Sequence, residues 1–244
     1  MNTPRHSQRP ATLLHTSDVH LDRDDGGRHQ RAFAAAVDLA IDVDVDAVLI
    51  VGDLFDHARV RDDILVWTAD QLDRLERPVV LLVGNHDALH DQSVHHRFEA
   101  ESRCKDVLFL DDPDGSIVEV PGTDIVVWGR AMVEHEPAFE PLAGSPPRRP
   151  GKWNIIAGHG LVIGGEHDLH RSSPIFPHSF DSLDCDYVAL GHLHEHAVLR
   201  REPLVCYSGA TAASRKGQAG CVIVQLAPSE GASVRWTPLP NVTQ

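Results

Sequence analysis

Seven side chains that could bind a metal follow short apolar runs of the sequence. The runs cover 11–15, 47–51, 79–83, 153–157 and 187–190, and their composition is typical of β-strands. The seven candidate ligands are Asp18, His20, Asp53, Asn85, His159, His192 and His194. Ligands of open α/β sheets collect at the carboxyl ends of the strands, so we expect these groups to meet at one sheet edge.

The mixture of oxygen and nitrogen donors indicates which metals would bind. Two carboxylates, one amide and four imidazoles suit Mn²⁺, Fe or Zn²⁺ better than Ca²⁺ or Mg²⁺, which prefer oxygen ligands. Seven ligands are too many for one tetrahedral zinc ion. They fit two divalent ions, with Mn²⁺ favoured. One bridging carboxylate would hold such ions roughly 3.5–4 Å apart, and Asp53 is central in the series.

Hydrophobic periodicity predicts the elements that position these ligands. In the first half, strands are predicted at 11–16, 46–51 and 78–83, with helices at 30–41 and 60–75. A short helix is predicted at 92–103, and strands with antiparallel pairing at 107–110, 116–120 and 124–128. Further strands are predicted at 153–157, 187–190, 196–200, 204–208, 220–225 and 233–237. The early βαβαβ order predicts a parallel core with right-handed crossovers.

The expected architecture is α/β, with two packed mixed sheets and helices outside them. We expect a single domain over 11–244, preceded by a flexible polar leader over 1–10 that lacks the features of a secretory signal. No apolar run approaches the ~20 residues that span a bilayer. The four cysteines form no Cys-x-x-Cys pair, so we expect reduced thiols and a cytoplasmic location.

The net charge of −14 argues mildly against a large nucleic-acid footprint, because an acidic protein has no general electrostatic attraction to a polyanion. Two bound divalent ions would nevertheless add four positive charges at the place where a phosphate would bind. Local charge at the site therefore matters more than the total.

The five motifs, taken in order, closely resemble those of the calcineurin-like metallophosphoesterases. The order is Asp-x-His, Gly-Asp-x-x-Asp, Gly-Asn-His-Asp, His and Gly-His-x-His, and it spans nearly the whole predicted domain, from Asp18 to His194. The resemblance implies a two-sheet αββα sandwich. It also implies an enzyme that hydrolyses phosphoesters, in which a hydroxide held between two metal ions attacks phosphorus.

The resemblance also implies a role for each motif residue. One ion would be held by Asp18, His20, Asp53 and His194, and the other by Asp53, Asn85, His159 and His192. His86 would face the substrate and donate a proton to the leaving alkoxide, a step typically worth ~10²–10⁴-fold in rate. Asp87 would orient His86 or tune its charge. Asp56 would cap the following segment or hydrogen bond to a ligand without binding metal.

Within this family, residues 14–21 and 48–56 look most like the DNA repair exonuclease branch, which includes the nuclease subunit of the bacterial SbcCD complex. That likeness implies a nuclease-like phosphodiesterase acting on DNA or nucleotides, with Arg28 as a candidate contact to substrate phosphate or, alternatively, a solvated surface residue. A small-molecule phosphoesterase for cyclic nucleotides, nucleotides or phosphomonoesters is the alternative. The complete ligand set argues against a non-catalytic scaffold.

Two expectations concern protein partners. A helix over 92–103 could form a homodimer face, as in the exonuclease branch, or simply pack on the surface. Only about fifty residues follow His194, so we do not expect the segment with which members of that branch bind an ATPase partner.

Overall fold

The computed structural model describes residues 8–164, 173–213 and 218–239. Residues 1–7 of the predicted leader lie outside this part. Gln8 is buried, the Arg9 backbone N–H donates to the Asp124 carboxylate at 2.7 Å, and the Trp153 indole donates to the Arg9 carbonyl at 2.8 Å. Residues 8 and 9 are thus fixed to the body of the protein, and the predicted leader does not extend through them.

The described residues contain fourteen strands and four α-helices. The strands are β1 (Ala11–Thr16), β2 (Ala47–Val51), β3 (Val79–Leu82), β4 (Val107–Leu110), β5 (Ser116–Glu119), β6 (Ile125–Gly129), β7 (Trp153–His159), β8 (Leu161–Val162), β9 (Pro174–Ile175), β10 (Tyr187–Gly191), β11 (Ala197–Arg201), β12 (Leu204–Tyr207), β13 (Gly220–Ala227) and β14 (Gly231–Pro238). The helices are α1 (Arg28–Val43), α2 (Asp62–Asp73), α3 (His95–Phe98) and α4 (Ala100–Arg103).

Two six-stranded sheets form the centre of the molecule. The first has the order β14-β13-β1-β2-β3-β4, in which β1 to β4 are parallel and β13 and β14 add antiparallel strands at one side. The second has the order β11-β12-β10-β7-β6-β5, with β12, β10, β7 and β6 parallel and an antiparallel strand at each edge. These two mixed sheets confirm the predicted α/β fold class.

The strand β4 differs from its prediction. We expected antiparallel pairing from residue 107 onward, but β4 pairs parallel with β3 in the first sheet, and the antiparallel pair is β5 with β6 in the second. The turn residues 111–115 therefore carry the chain from one sheet to the other and do not close a hairpin. The prediction was wrong because a short turn has the same kind of sequence whether it joins two strands of one sheet or connects one sheet to the other.

Apolar side chains fill both faces of the first sheet. Successive strand residues point to opposite faces, so Leu13 packs between the sheets against Ile155 while Leu14 packs outward against Phe33 of α1. Full burial of each such side chain stabilises the fold by about 1.5–3 kcal/mol. Burial on both faces explains why the strands are continuous apolar runs that lack alternation.

The outer face of the second sheet is covered differently. Within the described residues it packs against Leu142, Ile175 and Phe180, which belong to a long connection, to β9 and to a 3₁₀ helix over Pro177–Asp181. The long helices α1 and α2 both pack on the first sheet. In the described part of the chain, the first sheet of the predicted sandwich is therefore covered by two long helices, whereas the second sheet is covered by a connection, a short strand and a 3₁₀ helix.

The predicted helix over 92–103 is broken into two short helices. Glu99 lies between α3 and α4 with a φ of 47°, in the left-handed region that ends a helix. The four cysteines are buried free thiols, as predicted. Among the described residues, no helix has the length and apolar character needed to cross a membrane.

Candidate metal centre

The seven predicted ligands meet where the carboxyl ends of the parallel strands of the two sheets face each other. Asp18, Asp53 and Asn85 follow β1, β2 and β3 of the first sheet, and His20 follows Asp18 on the same loop. His159 is the last residue of β7, and His192 and His194 follow β10 of the second sheet. The strand-end argument made from the sequence therefore gives the correct location.

One group of ligand atoms comes from Asp18, His20 and His194, whose nearest donor atoms all lie within 4.8 Å of one another. His194 Nε2 is 3.5 Å from Asp18 Oδ1 and 3.2 Å from His20 Nε2. Asp18 Oδ1 is buried and has no hydrogen-bond partner. A buried carboxylate oxygen without a partner is costly, so this atom fits a position beside a cation.

A second group comes from Asp18, Asp53 and His159, again within 4.8 Å. His159 Nε2 lies 3.4 Å from Asp53 Oδ2. Asn85 Oδ1 joins this group, at 3.2 Å from His159 Nε2 and 2.8 Å from His192 Nδ1. The carboxylate, amide and imidazole atoms predicted to hold the other ion are thus gathered in one place.

Asp53 lies between the two groups. Its Oδ2 atom is 3.4 Å from His159 Nε2 and 3.9 Å from His20 Nε2, while its Oδ1 atom accepts a 2.8 Å hydrogen bond from the backbone N–H of His86. One oxygen of Asp53, a member of the second group, therefore also faces His20 of the first group, a position that suits a bridging carboxylate.

The backbone hydrogen bond of His159 determines which of its nitrogens can bind metal. Its Nδ1–H donates to the Val51 carbonyl at 2.9 Å, because a carbonyl oxygen only accepts. The lone pair is therefore on Nε2, which faces Asp53 and Asn85. A metal-binding histidine ordinarily has its other nitrogen fixed by such an outer hydrogen bond.

The charges at the site are strongly interdependent. Burial lowers the pKa of His159, but the Asp53 carboxylate outweighs it and raises that pKa to about 9. Burial raises the pKa of Asp53, yet the neighbouring His159 brings it well below its usual range. Burial and the His159 imidazole lower the pKa of His192 to about 4. The protein therefore favours positive charge beside Asp53, which a proton on His159 or a divalent ion can supply.

Several ligands lie on a backbone in the left-handed region. Asp18, His20, Asp53 and His192 have φ values of 52°, 51°, 54° and 97°. Such conformations cost of order 1–3 kcal/mol each outside glycine and cluster at functional sites. Gly84 is required for a related reason, because a β-carbon there would collide with the backbone and carboxylate of Asp53.

The predicted proton donor His86 is exposed beside the centre. Its side chain is 41% exposed, and its ring centroid is 4.6 Å from that of His20. Its Nδ1–H donates to the Asp56 carbonyl at 2.8 Å, and one Asp56 carboxylate oxygen lies 3.6 Å from the same nitrogen. That oxygen is also 3.1 Å from His20 Nδ1. Asp56 thus contacts both a metal-ligand candidate and His86.

Asp87 has other partners than the predicted one. Its buried carboxylate accepts hydrogen bonds from the backbone N–H groups of Gly84, at 2.7 Å, and Phe55, at 3.2 Å, and it lies 3.2 Å from Nε2 of the buried His95. Asp56 contacts His86, whereas Asp87 joins the loops that follow β2 and β3, and a role of Asp87 in orienting or tuning His86 stays a prediction. Both oxygens of Asp87 are occupied by these interactions.

Arg28 is the first residue of α1 and its guanidinium pairs with Asp25 at 3.3 Å. No described contact joins it to the metal-ligand candidates. The structure instead brings His135 to the centre, with its ring centroid 5.9 Å from that of His192. Sequence reasoning missed His135 because it belongs to no motif, and missed His95 because periodicity does not distinguish an inward from an outward histidine on so short a helix.

The chain belongs to the calcineurin-like phosphoesterase family, whose sequence pattern matches residues 11–196. This match covers all seven ligand candidates, and it confirms the resemblance drawn from the motifs. A metal-dependent phosphoester hydrolase with a dinuclear centre is the enzyme class that the family and the clustered ligands define.

Curated relatives include a nuclease subunit and a DNA repair protein. The chain is 29% identical to the uncharacterized metallophosphoesterase YhaO of Bacillus subtilis, in a match that covers 86% of the chain. Over 91% of the chain, it is 26% identical to a subunit of the nuclease SbcCD of the same organism, and over 96%, it is 27% identical to the DNA double-strand break repair protein Mre11 of Methanosarcina mazei. The matches span 55%, 68% and 39% of those proteins, respectively.

Solved structures show the same fold at low sequence identity. TT1561 of Thermus thermophilus matches 95% of the chain with a TM-score of 0.61 and 13% identity, and 100% of that structure is covered. A dimetal phosphatase from Danio rerio matches 94% of the chain with a TM-score of 0.56 and 12% identity, with 99% of that structure covered.

Proposed function

We propose that this phosphoester hydrolase is a phosphodiesterase that cleaves nucleic acid. The observation that carries the proposal is the pair of adjacent ligand groups, which share Asp18 and are both approached by Asp53, with the exposed His86 beside them. The choice of nucleic acid is supported by the similarity to the SbcCD nuclease and to Mre11. Because the chain spans only part of YhaO and Mre11, activities of the whole relatives are hypotheses for this chain.

The residues present fit two divalent ions. One would be held by Asp18, His20, Asp53 and His194 and the other by Asp53, Asn85, His159 and His192, with Mn²⁺ as our proposed metal and Fe or Zn²⁺ as alternatives. The unpartnered Asp18 oxygen and the negative field around His159 support this assignment. When bound, such ions neutralise phosphate oxygens and lower the pKa of water, so that the nucleophile is present near neutral pH.

His86 is our proposed general acid. Its Nδ1–H is used by the Asp56 carbonyl, so Nε2 is the atom available to the substrate. A proton held at Nε2 would pass to the alkoxide oxygen as its bond to phosphorus breaks. The contact to Asp56 fixes the ring, and the 41% exposure of the side chain leaves it accessible to a substrate.

Two of the candidate site residues are accessible to solvent. His86 and His194 have side chains that are 41% and 36% exposed, whereas the carboxylates of Asp18 and Asp53 are buried beneath them. The ligand set is therefore reached from a solvent-facing side.

A substrate panel tests the proposal. The Mn²⁺-loaded full chain would be assayed on linear double- and single-stranded DNA, bis-p-nitrophenyl phosphate, p-nitrophenyl phosphate, and 2′,3′- and 3′,5′-cyclic nucleotides, with Asp53→Ala as the matched inactive control. We expect cleavage of DNA and of the bis-ester. Hydrolysis of cyclic nucleotides or monoesters without DNA cleavage would instead establish the small-molecule alternative.

A homodimer, a cytoplasmic location and a single domain over 11–244 stay predictions. Analytical ultracentrifugation of the full chain would test the first of these. We expect the dimer interface to involve α3 and α4. The contact of His95 in α3 with Asp87 joins this region to the loop that carries Asn85 and His86.

A further inference from the structure

His135 lies at the metal centre on the side of the second sheet. Its ring meets that of His192 edge to face, with centroids 5.9 Å apart and planes at 61°. His159, Asp53 and His86 also act on it electrostatically. The residue is exposed, and among the described residues none hydrogen bonds to its ring. An exposed imidazole with free ring nitrogens therefore stands next to the ligand set.

Backbone hydrogen bonds fix the segment that carries His135. The Met132 carbonyl accepts a 2.8 Å bond from the backbone N–H of Leu89, two residues after Asp87. The Glu136 carbonyl accepts a 3.0 Å bond from the backbone N–H of Ser173, which precedes β9. The segment that carries His135 is thus fixed at one end to the loop that follows His86 and at the other end to Ser173, the residue before β9.

Packing supports the same placement. Val83, Ala88, Ala131 and Met132 form a small buried apolar cluster beneath the segment. The Ala131 backbone N–H also donates to the Asp112 carbonyl at 3.0 Å. Because a cluster and three backbone bonds position the segment, the proximity of His135 to His192 is a property of the fold.

We propose that His135 is a substrate-binding residue that donates a hydrogen bond to the phosphoryl group at the metal centre. The inference rests on the proposed function and adds a contact to it. His86 stands beside His20, of the first ligand group, and His135 stands beside His192, of the second. A phosphate at the centre would have an exposed imidazole at each end of the ligand set, and its oxygens accept hydrogen bonds from N–H groups.

Binding of inorganic phosphate tests this contact without requiring turnover. The Mn²⁺-loaded full chain would be titrated with phosphate by calorimetry, alongside His135→Ala, His135→Gln and the control His178→Ala, which removes an exposed histidine stacked on Phe176. We expect His135→Ala to retain both metal ions and to bind phosphate about tenfold more weakly, since a hydrogen bond to a charged group is lost. His135→Gln keeps an N–H donor and should recover most of the affinity, and His178→Ala should match the wild type.

Kinetics on bis-p-nitrophenyl phosphate would separate binding from chemistry. We expect KM to rise about tenfold in His135→Ala, with kcat within about threefold of wild type, as for a contact made equally in the ground and transition states. Unchanged phosphate affinity in His135→Ala, loss of metal from it, or a wild type that binds no phosphate would each overturn the inference. A wild type that binds phosphate but hydrolyses no ester would refute the proposed function, while the titration would still decide the role of His135.

Discussion

The two sheets contribute different kinds of ligand to the metal centre. The loops of the first sheet supply every oxygen ligand, from Asp18, Asp53 and Asn85, whereas the second sheet supplies imidazoles alone. Asp18 and Asp53 are buried, and a buried carboxylate is costly unless it is paired. The first sheet therefore carries negative charge that the imidazoles of the second sheet, and the ions that both sheets would hold, help to compensate.

The most disruptive test of this comparison removes the carboxylate that serves both ligand groups. We expect Asp53→Ala to lose both metal ions and to lower kcat/KM by about 10⁴-fold or more, which corresponds to about 5 kcal/mol or more. His194→Ala, a second-sheet variant, should lose one ion only, since in our proposed assignment it binds one ion whereas Asp53 binds both. Elemental analysis of the dialysed proteins gives the metal count, and equal metal loss in both variants would refute the central role of Asp53.

Removal of the proton donor should separate chemistry from metal binding. We expect His86→Ala to retain both ions and to lose about 10²–10³-fold in kcat on DNA, because an alkoxide leaving group needs a proton. The loss should be smaller on bis-p-nitrophenyl phosphate, whose phenolate leaves without protonation. Metal loss from this variant, seen by elemental analysis, would place His86 among the ligands and contradict our assignment.

Asp87 offers a test of how the first sheet holds its loops. We expect Asp87→Ala to lower the free energy of unfolding by about 3 kcal/mol, because the buried backbone N–H groups of Gly84 and Phe55 and the buried His95 lose their partner. Urea denaturation of the metal-free protein measures this change. Asp56→Ala is the matched variant, since its partly exposed carboxylate should matter less for stability; a larger loss in Asp56→Ala would reverse our assignment of the two roles.

The smallest effect concerns a polar contact between the sheets. His15 of β1 is buried with its Nδ1 atom 2.7 Å from the hydroxyl of Tyr187 in β10, and burial together with the His196 imidazole lowers its pKa to about 3. Unfolding restores the ordinary value near 6.5. Between these values the unfolded chain binds a proton that the folded protein does not. Stability should therefore fall on acidification, by about 1.4 kcal/mol per pH unit from this group.

His15→Phe isolates that contribution. Urea unfolding of the metal-free proteins at pH 5 and pH 6 should show a shallower loss of stability on acidification in the variant, with an unchanged denaturant m-value. Identical slopes in both proteins would show that His15 is not held neutral between the sheets.

The sequence predicted that the candidate ligands meet because each follows an apolar strand, and the edge at which strands end is a consequence of sheet geometry alone. The partner of Asp87 could not be predicted in this way. His95 is eight residues away on a four-residue helix, where periodicity does not tell a buried from an exposed histidine. His135 has no motif, and only tertiary packing brings its segment to His192. The pairing of β4 could not be predicted either, because the sequence does not show that the chain leaves the first sheet after β4 and joins the second sheet at β5.

The hydrogen bond from the His192 backbone to the Asp18 carboxylate, at 3.0 Å, joins residues 174 positions apart. Ions that bind the folded protein through Asp18, His192 and His194, and not the unfolded chain, would stabilise the folded state by an amount that increases with their affinity and concentration. Metal loading should then slow unfolding as well as enable hydrolysis. The metal-free protein would therefore be more open to proteolysis than the metal-loaded protein.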